Sequence, residues 1–131
     1  MKIYSWNIFF RNTDFDRAFA FIEHLDFDVL CLQEVPESFL ERLRKLDVHL
    51  ASAPDVDRLF PRGTERNFLV ILSRHPITHQ SAFAFTSLLP PLRTRLFVRA
   101  MRGIHWSRIE NRHGFFADIS VEGLPTLVRG F

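Results

Sequence analysis

The sequence has a single cysteine, no long apolar segment and almost no excess of charge, and each absence excludes a class of protein. Cys31 is the only cysteine, so an intrachain disulfide is excluded and a small buried side chain is expected. No run approaches the ~20 apolar residues of a membrane-spanning helix. The N-terminus also lacks the pattern of a signal peptide. These absences predict a cytoplasmic protein without a membrane span.

The charge of the chain does not indicate a nucleic-acid-binding protein. Seventeen basic and fifteen acidic residues leave a net charge of +2, which gives no overall electrostatic attraction to phosphate. Residues 93–112 contain six arginines and one acid, and this segment is the one candidate phosphate or nucleic-acid surface. A half-exposed strand explains it equally well, because Arg93, Arg95 and Arg99 alternate with apolar residues.

Apolar periodicity predicts one domain that mixes strands and helices. Residues 2–10 are rich in β-formers, and Thr13 and Asp16 have the spacing of a helix-starting capping box. Apolar residues then recur at helical spacing up to Leu25. The later predictions are a buried strand at 29–32, a helix at about 36–46, a short strand at 47–52, a surface loop at 54–66, a central strand at 68–72, and further strands at 77–85, 115–121 and 126–131.

Two polar side chains end these predicted strands. Glu34 follows the apolar run 29–32, and Pro36 follows as a first helical residue. Such a carboxylate could bind a hard divalent cation, or Glu34 could simply favour the N-terminus of the next helix. Asn7 ends the first strand, where its amide needs partners if it is buried. It could equally hydrogen-bond a neighbouring loop.

Three stretches together resemble a known family. They are Tyr4-Ser-Trp-Asn7, Asp28-Val-Leu-Cys-Leu-Gln-Glu-Val35 and Val70-Ile-Leu-Ser-Arg-His-Pro-Ile77. This combination resembles the N-terminal half of the endonuclease/exonuclease/phosphatase family, which includes the DNase I-like nucleases. The resemblance implies an α/β (α+β) fold, a four-layer sandwich in which two mixed sheets pack face to face between helices. It also implies a metal-dependent hydrolase that acts on phosphoester bonds, including those of nucleic acids.

The resemblance implies a role for both polar strand ends. Glu34 would be a catalytic ligand of Mg²⁺, or alternatively of Mn²⁺. Asn7 would be a second catalytic residue of the metal site, beside Glu34, where it orients the metal shell or the scissile phosphate. Magnesium suits this chemistry because it polarises a phosphoryl oxygen and needs few protein carboxylates.

The sequence departs from the family in its second half. The family's Asn-Thr-His, Gly-Asp-x-Asn and Ser-Asp-His segments are absent. We therefore expect residues 1–131 to be a single truncated domain that carries half of an active site and is inactive alone. The alternative is a non-catalytic half-domain that assembles with another chain or binds phosphate-bearing partners. Uncovered sheet surface would then favour self-association.

The substrate stays open at this level. Abasic-site nucleases usually continue differently after Trp-Asn and after Gln-Glu, where this chain has Ile8-Phe-Phe-Arg11 and Val35-Pro36. DNA repair is therefore less well supported than the broad class, and DNA, RNA, lipids, inositol phosphates and nucleotides all remain candidate substrates.

Overall fold

The computed structural model describes residues 1–60, 63–84, 108–110, 113–122 and 128–129. Within these ranges the chain forms two helices and eight strands. In order they are β1 (Ile3–Asn7), α1 (Phe15–His24), β2 (Val29–Pro36), α2 (Glu37–Leu43), β3 (His49–Phe60), β4 (Gly63–Ser73), β5 (Ile77–Ala84), β6 (Arg108–Glu110), β7 (His113–Ile119) and β8 (Val128–Arg129).

The first sheet has the strand order β1-β2-β4-β3-β6. β1 and β2 are parallel, and β4 is antiparallel to both β2 and β3. The apolar run 68–72 belongs to β4, in the middle of the sheet, which confirms its prediction as a central strand. Because both faces of the sheet are covered here, this run is continuously apolar rather than alternating.

Both helices cover one face of this sheet. Ala18 and Ile22 of α1 and Phe39 of α2 are buried against Leu32 and Leu72 of the sheet. The helical periodicity predicted these apolar faces, but α1 starts differently from the prediction. Its N-cap is Asp14, whose carboxylate accepts a hydrogen bond from the backbone N–H of Arg17 at 3.0 Å.

The second sheet, with the order β5-β7-β8, covers the opposite face of the first. Phe115, Ala117 and Ile119 of β7 form a core with Val29 and Ile71 of the first sheet. The result is a mixed α+β fold consistent with part of a DNase I-like domain. The described ranges hold three of the four expected layers, and their second sheet is antiparallel rather than mixed.

The predicted surface loop at 54–66 is wrong. β3 and β4 pair along most of this stretch, and Arg66 donates to Asp57 across the hairpin at 2.7 Å. Within the described ranges β6 pairs β3 at residues 57–59, so Pro54 lies outside that pairing and its missing N–H breaks no bond of it. The turn-forming residues therefore belong to a long hairpin.

The arginine-rich segment 93–112 and the predicted strands at 77–85 and 126–131 lie partly outside the described ranges. Of the six arginines at 93–112, only Arg108 falls within them, as backbone in β6. No helix in the described part of the chain is long and apolar enough to cross a membrane.

Candidate functional site

Glu34 lies in a β-bulge near the end of β2. Leu32 pairs with Val70 and Val35 pairs with Phe68, so Gln33 and Glu34 together oppose a single residue of β4. All four paired residues belong to the core under the helices. The two residues between Leu32 and Val35 therefore project to the opposite face, toward the second sheet. The Oε2 oxygen of Glu34 is shielded from solvent.

Asn7 lies beside this bulge, at the end of β1. It pairs with Gln33 in the parallel ladder, and the backbone N–H of Ile8 extends that ladder by donating to the Gln33 carbonyl at 3.1 Å. Asn7 Oδ1 accepts a hydrogen bond from the backbone N–H of Phe9 at 2.9 Å. This contact fixes the side chain and leaves the amide nitrogen as its remaining donor.

The structure brings the two sequence-predicted residues together. Parallel strands end at the same sheet edge, and directly paired residues share a face. Trp6 packs with the core under the helices, so its neighbour Asn7 projects from the opposite face of the sheet, where it is exposed. The two residues that the sequence singled out thus occupy one end and one face of the sheet.

The backbone at this edge is strained at two places. Among the described residues, only Phe9 and Glu34 combine a side chain with a positive φ, at 57° and 56°. A bulky residue in the left-handed region is uncommon. Such conformations persist where the surroundings enforce them, and they concentrate at functional sites. Phe9 follows the end of β1, and Glu34 lies near the end of the adjacent parallel strand β2.

The donors at this edge fit a metal ion that keeps much of its water. The described residues contain no group of three or more His, Cys, Asp or Glu side chains that could hold a metal. Glu34 is one carboxylate, and Mg²⁺ is often bound by one or two carboxylates with water and substrate oxygens completing its shell. Burial raises the pKa of the Cys31 thiol, which disfavours the thiolate form that binds metals.

Sequence reasoning missed two buried polar residues near Glu34. Asp55 is buried in a second bulge, in β3 between Pro54 and Val56. Asn67 is buried in β4 between the two bulged strands. Both were assigned to the surface loop or its border, where polar residues need no explanation. Their signal in the sequence is weak: a polar residue directly before the apolar run 68–72.

A model of the endonuclease/exonuclease/phosphatase family matches residues 4–115 of the chain. The matched range includes Asn7, Glu34, both helices and the strands β2 to β6. Comparison with curated proteins and with solved structures gave no match.

Proposed function

Since the chain belongs to the endonuclease/exonuclease/phosphatase family, we propose that the edge formed by Asn7 and Glu34 is part of a Mg²⁺-dependent site for phosphoester hydrolysis. The observation that supports this most directly is the β2 bulge. It holds a shielded carboxylate on the face between the sheets, beside an amide whose orientation is fixed.

Glu34 is the proposed metal ligand. Members of the family generally use divalent metal ions, and the bulge turns this carboxylate inward at the strand end. A bound Mg²⁺ ion would polarise a phosphoryl oxygen and neutralise the charge that develops on it. Glu34 would hold its oxygen in place without reorganisation, because strain and burial restrict its conformations.

Asn7 is the proposed orienting residue. Its Oδ1 is already engaged by the N–H of Phe9, so the side chain presents its NH₂ group as a donor. A donor of this kind suits a phosphate oxygen better than it suits a metal ion, which needs an acceptor. Of the two roles implied by the family resemblance, this geometry favours contact with the scissile phosphate.

The test is the binding of a paramagnetic metal. Mn²⁺ binding to the purified chain, followed by water proton relaxation, should depend on Glu34. Glu34→Gln keeps the size and removes the charge, so we expect affinity to fall roughly tenfold or more, equal to about 1.4 kcal/mol. Glu37→Gln is the matched control, since Glu37 is an exposed acid in the first turn of α2. Equal Mn²⁺ affinity in both variants would reject the assignment.

We further propose that this chain supplies only part of the catalytic machinery. The family motifs that contain the general base and the histidine that stabilises the transition state are absent from this sequence. Metal and phosphate binding at Glu34 should therefore be measurable, while Mg²⁺-dependent hydrolysis of a generic phosphodiester by the chain alone should not. Robust turnover by the purified chain would contradict this proposal.

A second candidate role is assembly with another copy of the chain. In the described part of the first sheet β1 is an edge strand, and Ile3 and Tyr4 on its opposite faces are exposed. An apolar edge with unpaired backbone groups favours pairing with another chain. The two candidate roles are compatible, because assembly would use the open side of β1, whereas the proposed site lies at the C-terminal ends of β1 and β2.

A further inference from the structure

Asn67 has a buried amide nitrogen whose hydrogen-bonding capacity is unused. The residue is 1% exposed and lies in the central strand β4. Its Nδ2 atom has no hydrogen-bond acceptor among the residues that the structure describes. Buried polar atoms are almost always paired, so an exception in the middle of a sheet needs an explanation such as a missing ligand.

The position of Asn67 relates it directly to Glu34. Leu69 and Ile71 of β4 pack toward the second sheet, so Asn67 faces that side as well. Gln33 and Glu34 oppose Leu69 on the same face, which makes Asn67 the diagonal cross-strand neighbour of Glu34. Diagonal neighbours lie roughly 7–8 Å apart, which is within reach of one shared small ligand.

Both strands that flank Asn67 are distorted close to it, β2 at the level of Leu69 and β3 beside Asn67 itself. β2 bulges between Leu32 and Val35, and β3 bulges between Pro54 and Val56. Val56 pairs directly with Asn67, and the additional residue of that bulge is the buried carboxylate Asp55. Bulges interrupt the regular ladder and redirect side chains. The two bulges therefore place one acidic residue, Glu34 or Asp55, in each of the strands beside Asn67.

The chemistry of these groups selects the ligand. An amide nitrogen donates a hydrogen bond and cannot coordinate a metal, so its partner must be an oxygen acceptor. The Glu34 carboxylate repels a free anion, but a divalent cation bound to it would reverse the local potential. A phosphate oxygen that is bound to such a cation can accept the hydrogen bond of the amide, and the cation compensates its negative charge.

We propose that Asn67 is a further binding residue of the Glu34 site and that its amide nitrogen donates a hydrogen bond to a phosphate oxygen of the substrate. This inference rests on the proposed function and adds a contact to it. The contact is to phosphate and depends on the metal. Asn67 therefore contributes to binding of the phosphate group, which all candidate substrates share.

Thermal unfolding of the purified chain with Mg²⁺, with and without inorganic phosphate, tests the contact, and Mn²⁺ relaxation serves as a separate readout of metal binding. In the wild type, phosphate should raise the unfolding temperature above that with Mg²⁺ alone. Asn67→Leu should abolish this rise and retain Mn²⁺ affinity. It should also raise the unfolding temperature of the ligand-free chain by about 2–4 °C, because the unpaired donor is removed.

Two further variants keep the test decisive. Asn67→Asp keeps the shape and replaces the donor by a carboxylate oxygen, so it should also lose the phosphate-dependent rise while it still binds Mn²⁺. Ser73→Ala is the control, because Ser73 is equally buried in β4 and its hydroxyl already accepts the N–H of His75 at 3.0 Å. This control should lower stability and keep the phosphate-dependent rise.

The possible failures are distinguishable. If wild type binds Mn²⁺ through Glu34 but both Asn67 variants keep the phosphate-dependent rise, the Asn67 contact is wrong and the metal site stands. The same conclusion follows if the wild type binds Mn²⁺ and shows no rise. If Mn²⁺ does not bind at all, the proposed function fails and the Asn67 contact fails with it.

Discussion

At the scale of single residues, the site is marked by backbone strain more than by charge. Phe9 and Glu34 adopt left-handed conformations, which cost about 1–2 kcal/mol for a residue with a Cβ atom. A free loop would relax out of such a conformation. Here the β2 ladder on both sides of the bulge and the Asn7–Phe9 hydrogen bond hold the backbone in place. Stability is thus reduced where the site is formed.

Glycine at position 34 should therefore stabilise the chain relative to alanine. Both Glu34→Gly and Glu34→Ala remove the carboxylate, so both should lose Mn²⁺ binding. Only glycine relieves the positive φ. Glycine also has more conformational entropy in the unfolded chain, which offsets part of this gain. We still expect the free energy of unfolding of Glu34→Gly to exceed that of Glu34→Ala by about 0.5–1 kcal/mol. Urea denaturation of the two variants measures the difference, and an equal or reversed order would show that the bulge is unstrained.

Only part of the proposed site could be predicted from the sequence. Asn7 and Glu34 could be predicted because each is a polar residue at the end of an apolar strand. The left-handed backbone at Glu34 could not, since it arises from pairing with β4, which is about 35 residues away in the chain. Asn67 and Asp55 were missed for the same reason. Their burial depends on bulges that appear only when three strands are aligned.

At the scale of elements, local signals determined the type of structure but not its borders. The apolar stripes of both helices and the runs 29–32 and 68–72 were correct, because periodicity reports which face is buried. The hairpin of β3 and β4 was missed because Pro54, Asp55 and Asp57 are turn-forming residues by propensity. Pairing across the hairpin, including the Asp57–Arg66 ion pair, overrides that propensity.

The start of α1 provides a direct test of an element border. The sequence pattern favours Thr13 as the capping residue, whereas the structure has Asp14 bonded to the N–H of Arg17. Asp14→Ala should lower the free energy of unfolding by about 1 kcal/mol through loss of this cap. Thr13→Ala, the neighbouring control, should change it by less than about 0.5 kcal/mol. Chemical denaturation of both variants measures the two changes. A larger loss of stability in Thr13→Ala would show that Thr13 is the N-cap, as the sequence pattern predicts.

At the scale of the whole molecule, the layers bring the site to one end of the sheet pair. Helices cover one face of the central sheet, and the second sheet covers the other. Side chains at the strand ends on the inter-sheet face, such as Asn7 and Glu34, thus lie where the buried core meets the surface. A site at this position would be open to a charged substrate on one side. The buried core on its other side has a low dielectric constant, which would strengthen electrostatic interactions with that substrate.

The same arrangement leaves apolar surface along β1. Ile3 is 49% exposed, Tyr4 is 42% exposed, and Phe21 of α1, which contacts Trp6 edge to face, is 54% exposed. At ~25 cal/mol per Å², covering a few hundred Å² of such surface is worth several kcal/mol. That is comparable to the net stability of a domain, so covering this surface would favour association through the open side of β1.

We therefore predict that the purified chain self-associates through β1. Light scattering across a concentration series should show masses above that of the 15.4 kDa monomer. The double variant Ile3→Lys, Tyr4→Lys places charge on both faces of the edge and should shift the mass toward the monomer. Phe83→Lys is the control, since Phe83 is an exposed aromatic residue of β5 in the other sheet. A wild-type monomer at every concentration would contradict the prediction, and so would an assembly that only Phe83→Lys dissociates.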